Sequence, residues 1–308
     1  MADRLQLRIG SRGSQLALWQ ANHIADKLRV QGHKVSIEII RTTGDTFHNL
    51  SFSQVGTKGM FTKEIEEALM EERIDLAVHS LKDLPTTLAD PFTLAAIPKR
   101  ADASDVFVSI CHESFAALPT GARVGTSSLR RQAQLKAQRR DLEYVEFRGN
   151  VDTRLRKLAE GQVEAVILAA AGLERLSRTE YVREKFPALV LCPAAGQGAL
   201  AIETRAGDAE TIKALRFMDD DATRFAVTAE RSALAALGGG CQVPIGIYCD
   251  AFGQGFRIAG VVAAADGKGV IRAELECQQG ARAEDLGEKL AARLLEEGAG
   301  ELLLVNLR

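Results

Sequence analysis

Apolar positions along the chain fall into two alternating rhythms, one repeating every second residue and one every third or fourth. The first marks strands at Leu5–Ile9 and Lys34–Thr42, and the second marks a helix over Ser14–Arg29 between them. That order is a βαβ unit. The pattern continues with a helix near Phe61–Glu72, a strand at Asp75–His79 and an apolar run at Phe92–Ile97, and the polar stretch Pro98–Asp102 then marks a crossover. A second α/β series reads as a strand at Val106–Ile110, a helix over Ser127–Arg139, a strand at Glu143–Phe147, a helix over Val151–Glu160 and a strand at Ala165–Leu168. It ends at Leu191–Gly196, a second hinge. After a helix over Ala222–Leu237 the tail predicts three strands, with turns at Gly253–Gly255 and Asp266–Gly267, and a last helix over Ala283–Glu297. The expected class is therefore α/β, with a smaller third α+β domain built on a three-stranded sheet.

Composition narrows the setting. The 308 residues are 46% hydrophobic, enough for two or three ordinary cores. Apolar runs stop short of the ~20 residues of a membrane span, and the opening MADRLQLRIG lacks the apolar stretch of a secretory signal, so a cytoplasmic protein with no membrane association is expected. Cysteines at 111, 192, 241, 249 and 277 are odd in number and form no C-x-x-C pair, which predicts reduced thiols rather than disulfides or a metal site. With 39 Lys and Arg against 41 Asp and Glu there is no global field for nucleic acid, and any anion site must be local.

The arginines cluster where strands pass into helices. Arg12 lies between the first strand and first helix, Arg130 and Arg131 lie in the first turn of a helix opening at Thr126-Ser127-Ser128, and Arg148 and Asn150 precede the helix that contains Arg154. In parallel α/β sheets such junctions line the crevice at the carboxyl ends of the strands, where ligands bind. Helix N-termini there favour anions, and cations placed beside them are reconciled by a bound anion with several carboxylates or phosphates. Salt bridges to the abundant Asp and Glu are the other reading. The segment His79-Ser80-Leu81-Lys82-Asp83 follows an apolar strand. Asp83 is either an ion-pair partner of Lys82 or a carboxylate that stabilises a developing cation, and His79 is a general base or a hydrogen-bonded structural residue. Gly56-Thr57-Lys58-Gly59 lacks phosphate-loop spacing. The loop Gly238-Gly239-Gly240-Cys241-Gln242-Val243-Pro244 offers a thiol that glycines leave open to a bulky group.

Assembled, these residues resemble the porphobilinogen deaminase (hydroxymethylbilane synthase) family along nearly the whole chain. The motifs that carry the resemblance are RIGSRGSQLALWQ, VGTKGMFTKEIEEAL, DLAVHSLKDLPT, VGTSSLRRQAQL, RGNVDTRL, ILAAAGLERL, AAGQGAL and GGGCQVPIG. The resemblance implies two α/β domains built like bilobal periplasmic binding proteins and flanking a cleft, with the third domain following. Their expected bounds are 1–99 with 199–217, 103–193 and 221–308. It implies a dipyrromethane cofactor attached by a thioether to Cys241. It further implies that four porphobilinogens are joined head to tail with loss of ammonia, and that linear hydroxymethylbilane is released by hydrolysis and passed to a downstream tetrapyrrole enzyme. By the same resemblance Asp83 contacts pyrrole nitrogens and stabilises the cation left as ammonia departs. The resemblance likewise implies that Arg12, Ser14, Lys58, Ser80, Lys82, Thr126, Ser127, Ser128, Arg130, Arg131, Arg148, Asn150, Arg154, Arg175 and Gln197 serve cofactor or substrate binding. A monomer is the family expectation. Gln54 stands where several relatives carry lysine, a departure from the pattern.

Two other classes remain open on the residues alone. A two-lobed anion receptor suits the hinges and arginines but leaves Cys241 without a role. A cysteine hydrolase would use Cys241 as a transient nucleophile and needs a histidine within hydrogen-bond reach.

Overall fold

A computed structural model describes residues 4–43, 62–239 and 243–305. In chain order the first stretch holds β1 (Gln6–Ser11), α1 (Gln15–Val30), β2 (Lys34–Ile39), α2 (Lys63–Met70), β3 (Leu76–Ser80) and β4 (Phe92–Ala96). The second holds β5 (Asp105–Val108), β6 (Arg123–Gly125), α3 (Leu129–Gln138), β7 (Glu143–Val145), α4 (Val151–Ala159), β8 (Ala165–Ala169), α5 (Ala170–Arg175) and β9 (Val182–Lys185). Then come β10 (Leu200–Arg205), α6 (Ala209–Leu215) and α7 (Asp221–Ala236). The chain ends with β11 (Ile245–Phe252), β12 (Gly255–Ala263), β13 (Val270–Gln278), α8 (Ala283–Glu296) and α9 (Ala299–Val305). These elements form two compact units, residues 1–100 with 199–223, and residues 101–198 with 224–308.

The first unit is a five-stranded sheet in the order β2-β1-β3-β10-β4, with β1, β2 and β3 parallel and β10 antiparallel to both its neighbours. Helix α1 starts at Ser14, whose hydroxyl accepts from the Ala17 N–H, and its stripe Ala21, Ile24, Ala25 and Leu28 packs on Leu7, Ile9, Leu76 and Val78. On the opposite face α2 brings Ile65, Ala68 and Leu69 against Ala77. Covered on both sides, β3 reads as a continuous apolar run rather than an alternation.

The second unit holds a five-stranded sheet in the order β7-β6-β8-β5-β9, again with three parallel strands and one antiparallel strand inserted before the last. Its faces sort by parity, with Phe107, Ala165 and Ile167 in one core and Val106, Val108, Val166 and Leu168 in the other. The antiparallel sheet β11-β12-β13 belongs to the same unit, with one face covered by α7 and α8. Close backbone approaches join the two sheets. The Ile247 N–H donates to the Pro193 carbonyl at 2.9 Å, and a side chain on Gly246 would meet the Cys192 carbonyl at 2.6 Å. Gly198 is held at φ +86°, and a Cβ there would lie 2.6 Å from the Ala101 carbonyl, so only glycine fits where the chain leaves this unit.

Glu230 of α7 is fully buried and staples the exit to the third sheet. Its two oxygens accept from the Gly196 N–H at 2.6 Å and the Cys249 N–H at 2.8 Å. Removing the carboxylate strands two buried donors. Glu230→Ala should therefore cost about 3 kcal/mol or more, on the scale of charge-assisted hydrogen bonds. Urea denaturation followed by circular dichroism measures it, and an unchanged midpoint would contradict the assignment.

Candidate functional site

In the first unit the parallel strands β1 and β3 are neighbours, so their carboxyl ends share one sheet edge. That edge carries Arg12 and Ser14 after β1, and Ser80, Lys82 and Asp83 after β3. Gln20 of α1 ties the two together by donating to the Ser80 hydroxyl at 2.9 Å. A single 3-10 turn over Leu81–Asp83 follows β3, because Leu81 is buried while its N–H reaches back to the Ala199 carbonyl at 3.0 Å. The turn leaves Asp83 exposed, and among the described residues it makes no hydrogen bond or ion pair. An ion pair with Lys82 is thus not its role in this structure. His79, by contrast, is bonded to buried Glu203 at 2.9 Å, which fits the structural reading rather than a general base on the edge.

In the second unit the carboxyl ends of β6, β7 and β8 are likewise on one edge. The turn after β6 is shaped by three hydroxyls. Thr126 accepts from the Ser128 N–H at 3.2 Å, Ser127 from the Phe147 N–H at 3.0 Å, and Ser128 caps α3 by accepting from the Arg131 N–H at 3.4 Å. Each hydroxyl still has its own hydrogen to donate. After β7, Gly149 at φ +119° turns the chain into α4, whose N-cap Asn150 makes no side-chain cap bond. Arg148 pairs with Glu146, and Arg154 donates to the Gly149 carbonyl at 2.8 Å. Arg175, ending α5, donates to the Gly198 carbonyl at 2.7 Å, and burial pulls its guanidinium down to about 10.

Beneath this edge lies a cluster centred on Asp105, which has no solvent exposure. Arg130 reaches one carboxylate oxygen at 2.8 Å, and Arg131 grips the other through Nε and Nη2 at 3.0 and 2.7 Å. Gln197 donates to that second oxygen at 2.8 Å. Further bonds go to carbonyls, from Arg130 Nη1 to Cys192 at 2.6 Å and from Arg131 Nη1 to Ile167 at 3.1 Å. Arg130 and Arg131, expected to serve cofactor or substrate binding, are both buried and bonded to this internal carboxylate. Gln197 is similarly engaged. Two guanidinium cations on one carboxylate nevertheless leave a positive charge inside the unit, and that surplus favours an anion at the edge above.

Burial alone would raise the Asp105 carboxyl, but the charges of Arg130 and Arg131 prevail and hold it well below the usual carboxylate range. The neighbouring Cys192 thiol is pushed up to about 12 by burial, which makes it an inert core residue. Sequence reasoning overlooked Asp105, although a lone aspartate opening the apolar run Val106-Phe107-Val108 is a signal of a buried ion pair. The glycine loop also differs from expectation in part. Gly238, at φ +65°, terminates the helix, and a side chain on Gly239 would strike Leu234 and Ile245 at 2.6 and 2.7 Å, so the first glycine answers to backbone conformation and the second to packing. Lys58 and Cys241 lie outside the described residues, as does Gln54.

A folded-state carboxyl held low contributes stability above its unfolded pKa of ~3.9 and loses it as pH falls toward the lower folded value. Asp105→Asn strands two buried cations and should cost about 3–5 kcal/mol at neutral pH. The deficit should persist at about pH 5 and close only in stronger acid. Denaturation of variant and wild type across pH tests this, and equal stability at neutral pH would refute it.

Residues 7–213 match the family described as porphobilinogen deaminase, dipyromethane cofactor binding domain, and residues 224–296 match the porphobilinogen deaminase C-terminal domain. The chain is 49% identical to a porphobilinogen deaminase of Nitratidesulfovibrio vulgaris, over 97% of this chain and 96% of that protein. It is 50% identical to one from Desulforudis audaxviator, over 97% of each. Among solved structures the methionine-binding protein MetQ is similar, at 11% identity over 71% of this chain and 92% of its own, with a TM-score of 0.46. The chain belongs to the porphobilinogen deaminase family.

Proposed function

We propose that this chain joins four porphobilinogen molecules head to tail, with loss of ammonia at each coupling, and releases hydroxymethylbilane by hydrolysis. Family membership supports the reaction class. The observation that carries the residue-level reading is the distribution of charge: cations and hydroxyls gather at the carboxyl edges of parallel strands, where one exposed carboxylate, Asp83, is left without a partner among the described residues.

The donor set fits a dipyrromethane. Each pyrrole ring carries an acetate and a propionate, and the second unit offers Arg148, Arg154 and Arg175, the hydroxyls of Thr126, Ser127 and Ser128, and the uncapped start of α4 at Asn150. When bound, the dipyrromethane supplies a covalently held primer with a nucleophilic pyrrole end. Cys241 is the residue we assign to its thioether, and Lys58 to an additional anion contact.

Arginine charge and hydroxyl donors hold the carboxylates at the ring periphery and so orient each pyrrole. Arg130 and Arg131 act through their shared surplus charge, which Asp105 and Gln197 keep in place. In the first unit Arg12, Ser14, Ser80 and Lys82 bind the incoming substrate's acidic side chains. Asp83 faces the opposite task. Departure of ammonia leaves a cationic pyrrole, and an ionised carboxylate near the ring nitrogen lowers the energy of that cation without accepting a bond. Its lack of an internal partner keeps its charge available. The reading includes action as a cytoplasmic monomer that passes hydroxymethylbilane to the next tetrapyrrole enzyme. No helix among the described residues is long and apolar enough to cross a membrane.

Intact-protein mass spectrometry should show the purified chain heavier by two porphobilinogen-derived units, and Cys241→Ser should lose both that mass and turnover. An adduct mapped to Cys111 or Cys249 would reassign the attachment. Asp83→Asn preserves size and removes charge. Single-turnover incorporation of labelled porphobilinogen should fall roughly a hundred- to a thousandfold, with melting temperature close to wild type. Near-normal incorporation by the folded variant would remove Asp83 from the cation-stabilising role.

A further inference from the structure

Between α2 and the sheet of the first unit lie three ionisable side chains that the proposed reaction does not use: Glu66 on α2, His79 on β3 and Glu203 on β10. Glu203 is 0% exposed and His79 8%. His79 Nε2 stands 2.9 Å from one Glu203 oxygen, and the other oxygen, Oε1, is buried with no hydrogen-bond partner among the described residues. The strand register explains the meeting. Glu203 pairs with Ala77 and Ala201 with His79, so the two side chains are diagonal neighbours on one face of the sheet. Ala77 shows which face this is, since it packs under Ile65, Ala68 and Leu69 of α2. Glu66 is affected by the same pair: burial first, and then the negative charge of Glu203, push its carboxyl toward the protonated form.

A buried carboxylate beneath the apolar face of a helix is expensive, and replacing such a pair by apolar side chains is often neutral or stabilising. Its use must therefore be sought in specificity. β3 and β10 are not joined by a hairpin, and His79 and Glu203 are 124 positions apart in sequence. No turn sets their register. Core packing alone sets it weakly, because a slip by two residues would return every side chain of β10 to its own face. Arg205, on the same face as Glu203, ties β10 to the carbonyls of Leu69 and Ile74 at 2.7 and 2.9 Å, which lie in α2 and just before β3. Among the described residues, Glu203 is the side chain that bonds β10 to a side chain of β3 itself.

We propose that the buried His79–Glu203 bond is the register key of β10 on β3, and that both side chains are thereby positioning residues for Lys82 and Asp83. The connection is short. His79 is followed by Ser80 and the turn Leu81–Asp83, and the Leu81 N–H is held by the Ala199 carbonyl one residue before β10 begins. A displaced β10 would move that acceptor and with it the turn that presents Asp83. The inference rests on the deaminase reading for its catalytic consequence, while the register claim stands on the strands alone.

Glu203→Leu and Glu203→Gln separate the possibilities, since leucine removes the bond and glutamine keeps a partner for the imidazole. The leucine variant should keep the covalent adduct but lose roughly ten- to a hundredfold in kcat with KM little changed, on the scale of a small misplacement of a catalytic group. Its Leu81 amide should exchange with solvent faster than in wild type. The glutamine variant should recover most of both. Wild-type kcat in the leucine variant, or equal impairment of the two variants, would overturn the proposal. Should the leucine variant not fold, the wild-type enzyme still decides: the His79 Nε2–H should appear in nitrogen–proton spectra as a slowly exchanging ring proton, and its absence would overturn the register key. An enzyme lacking the adduct altogether would instead defeat the deaminase reading and leave the amide-exchange comparison standing.

Discussion

Asp105 is the interaction on which the second unit's site depends. One carboxylate without solvent contact gathers Arg130, Arg131 and Gln197 from α3 and from the segment that leads out of the unit. It fixes the start of α3 and hence the three hydroxyls that shape the turn before it. It does not neutralise the cluster. The residual positive charge is held in a low-dielectric setting, where it acts on an anion more strongly than a surface arginine would. Arg148, Arg154 and Arg175 lie at the same sheet edge, each steadied by a carboxylate or a backbone carbonyl.

Both five-stranded sheets share one plan, three parallel strands with an antiparallel strand inserted before the last. The inserted strand comes from an unusual place each time. In the first unit it is β10, which arrives after the whole second sheet has been traversed; in the second it is β5, made before the parallel strands. Neither has a tight turn to set its register, and each carries a buried acid, Glu203 in β10 and Asp105 in β5. A buried acid with a specific cationic or imidazole partner supplies alignment that apolar packing leaves loose. Two costly residues are thus placed where the topology gives least guidance.

Much of this was legible in the chain. Period alone located α1, α4, α7 and α8 to within a residue or two, because each carries an apolar stripe long enough to register. The parity of β11 to β13 and their turns was equally plain. Three strands escaped, among them β9, an edge strand of four residues at Val182–Lys185. β6 is only Arg123–Gly125, too short for an alternation to register, and β10 carries Glu203 and Thr204 within an apolar stretch. The arginines at strand-to-helix junctions were found by position, but position could not tell which were already engaged. The partner of Arg130 lies 25 residues away in sequence and comes to it only through the sheet. Arg148, Arg154 and Arg175 differ from Arg130 and Arg131 in tertiary neighbours, not in any local signal.

The central claim is that the chain builds a polymer one pyrrole at a time while holding it covalently. Brief exposure of the purified protein to substoichiometric porphobilinogen, followed by intact mass measurement, tests it most directly. The account predicts a ladder of species, each heavier than the last by one pyrrole unit and all carried on the protein. Ammonia release with a single unchanged protein mass would contradict it.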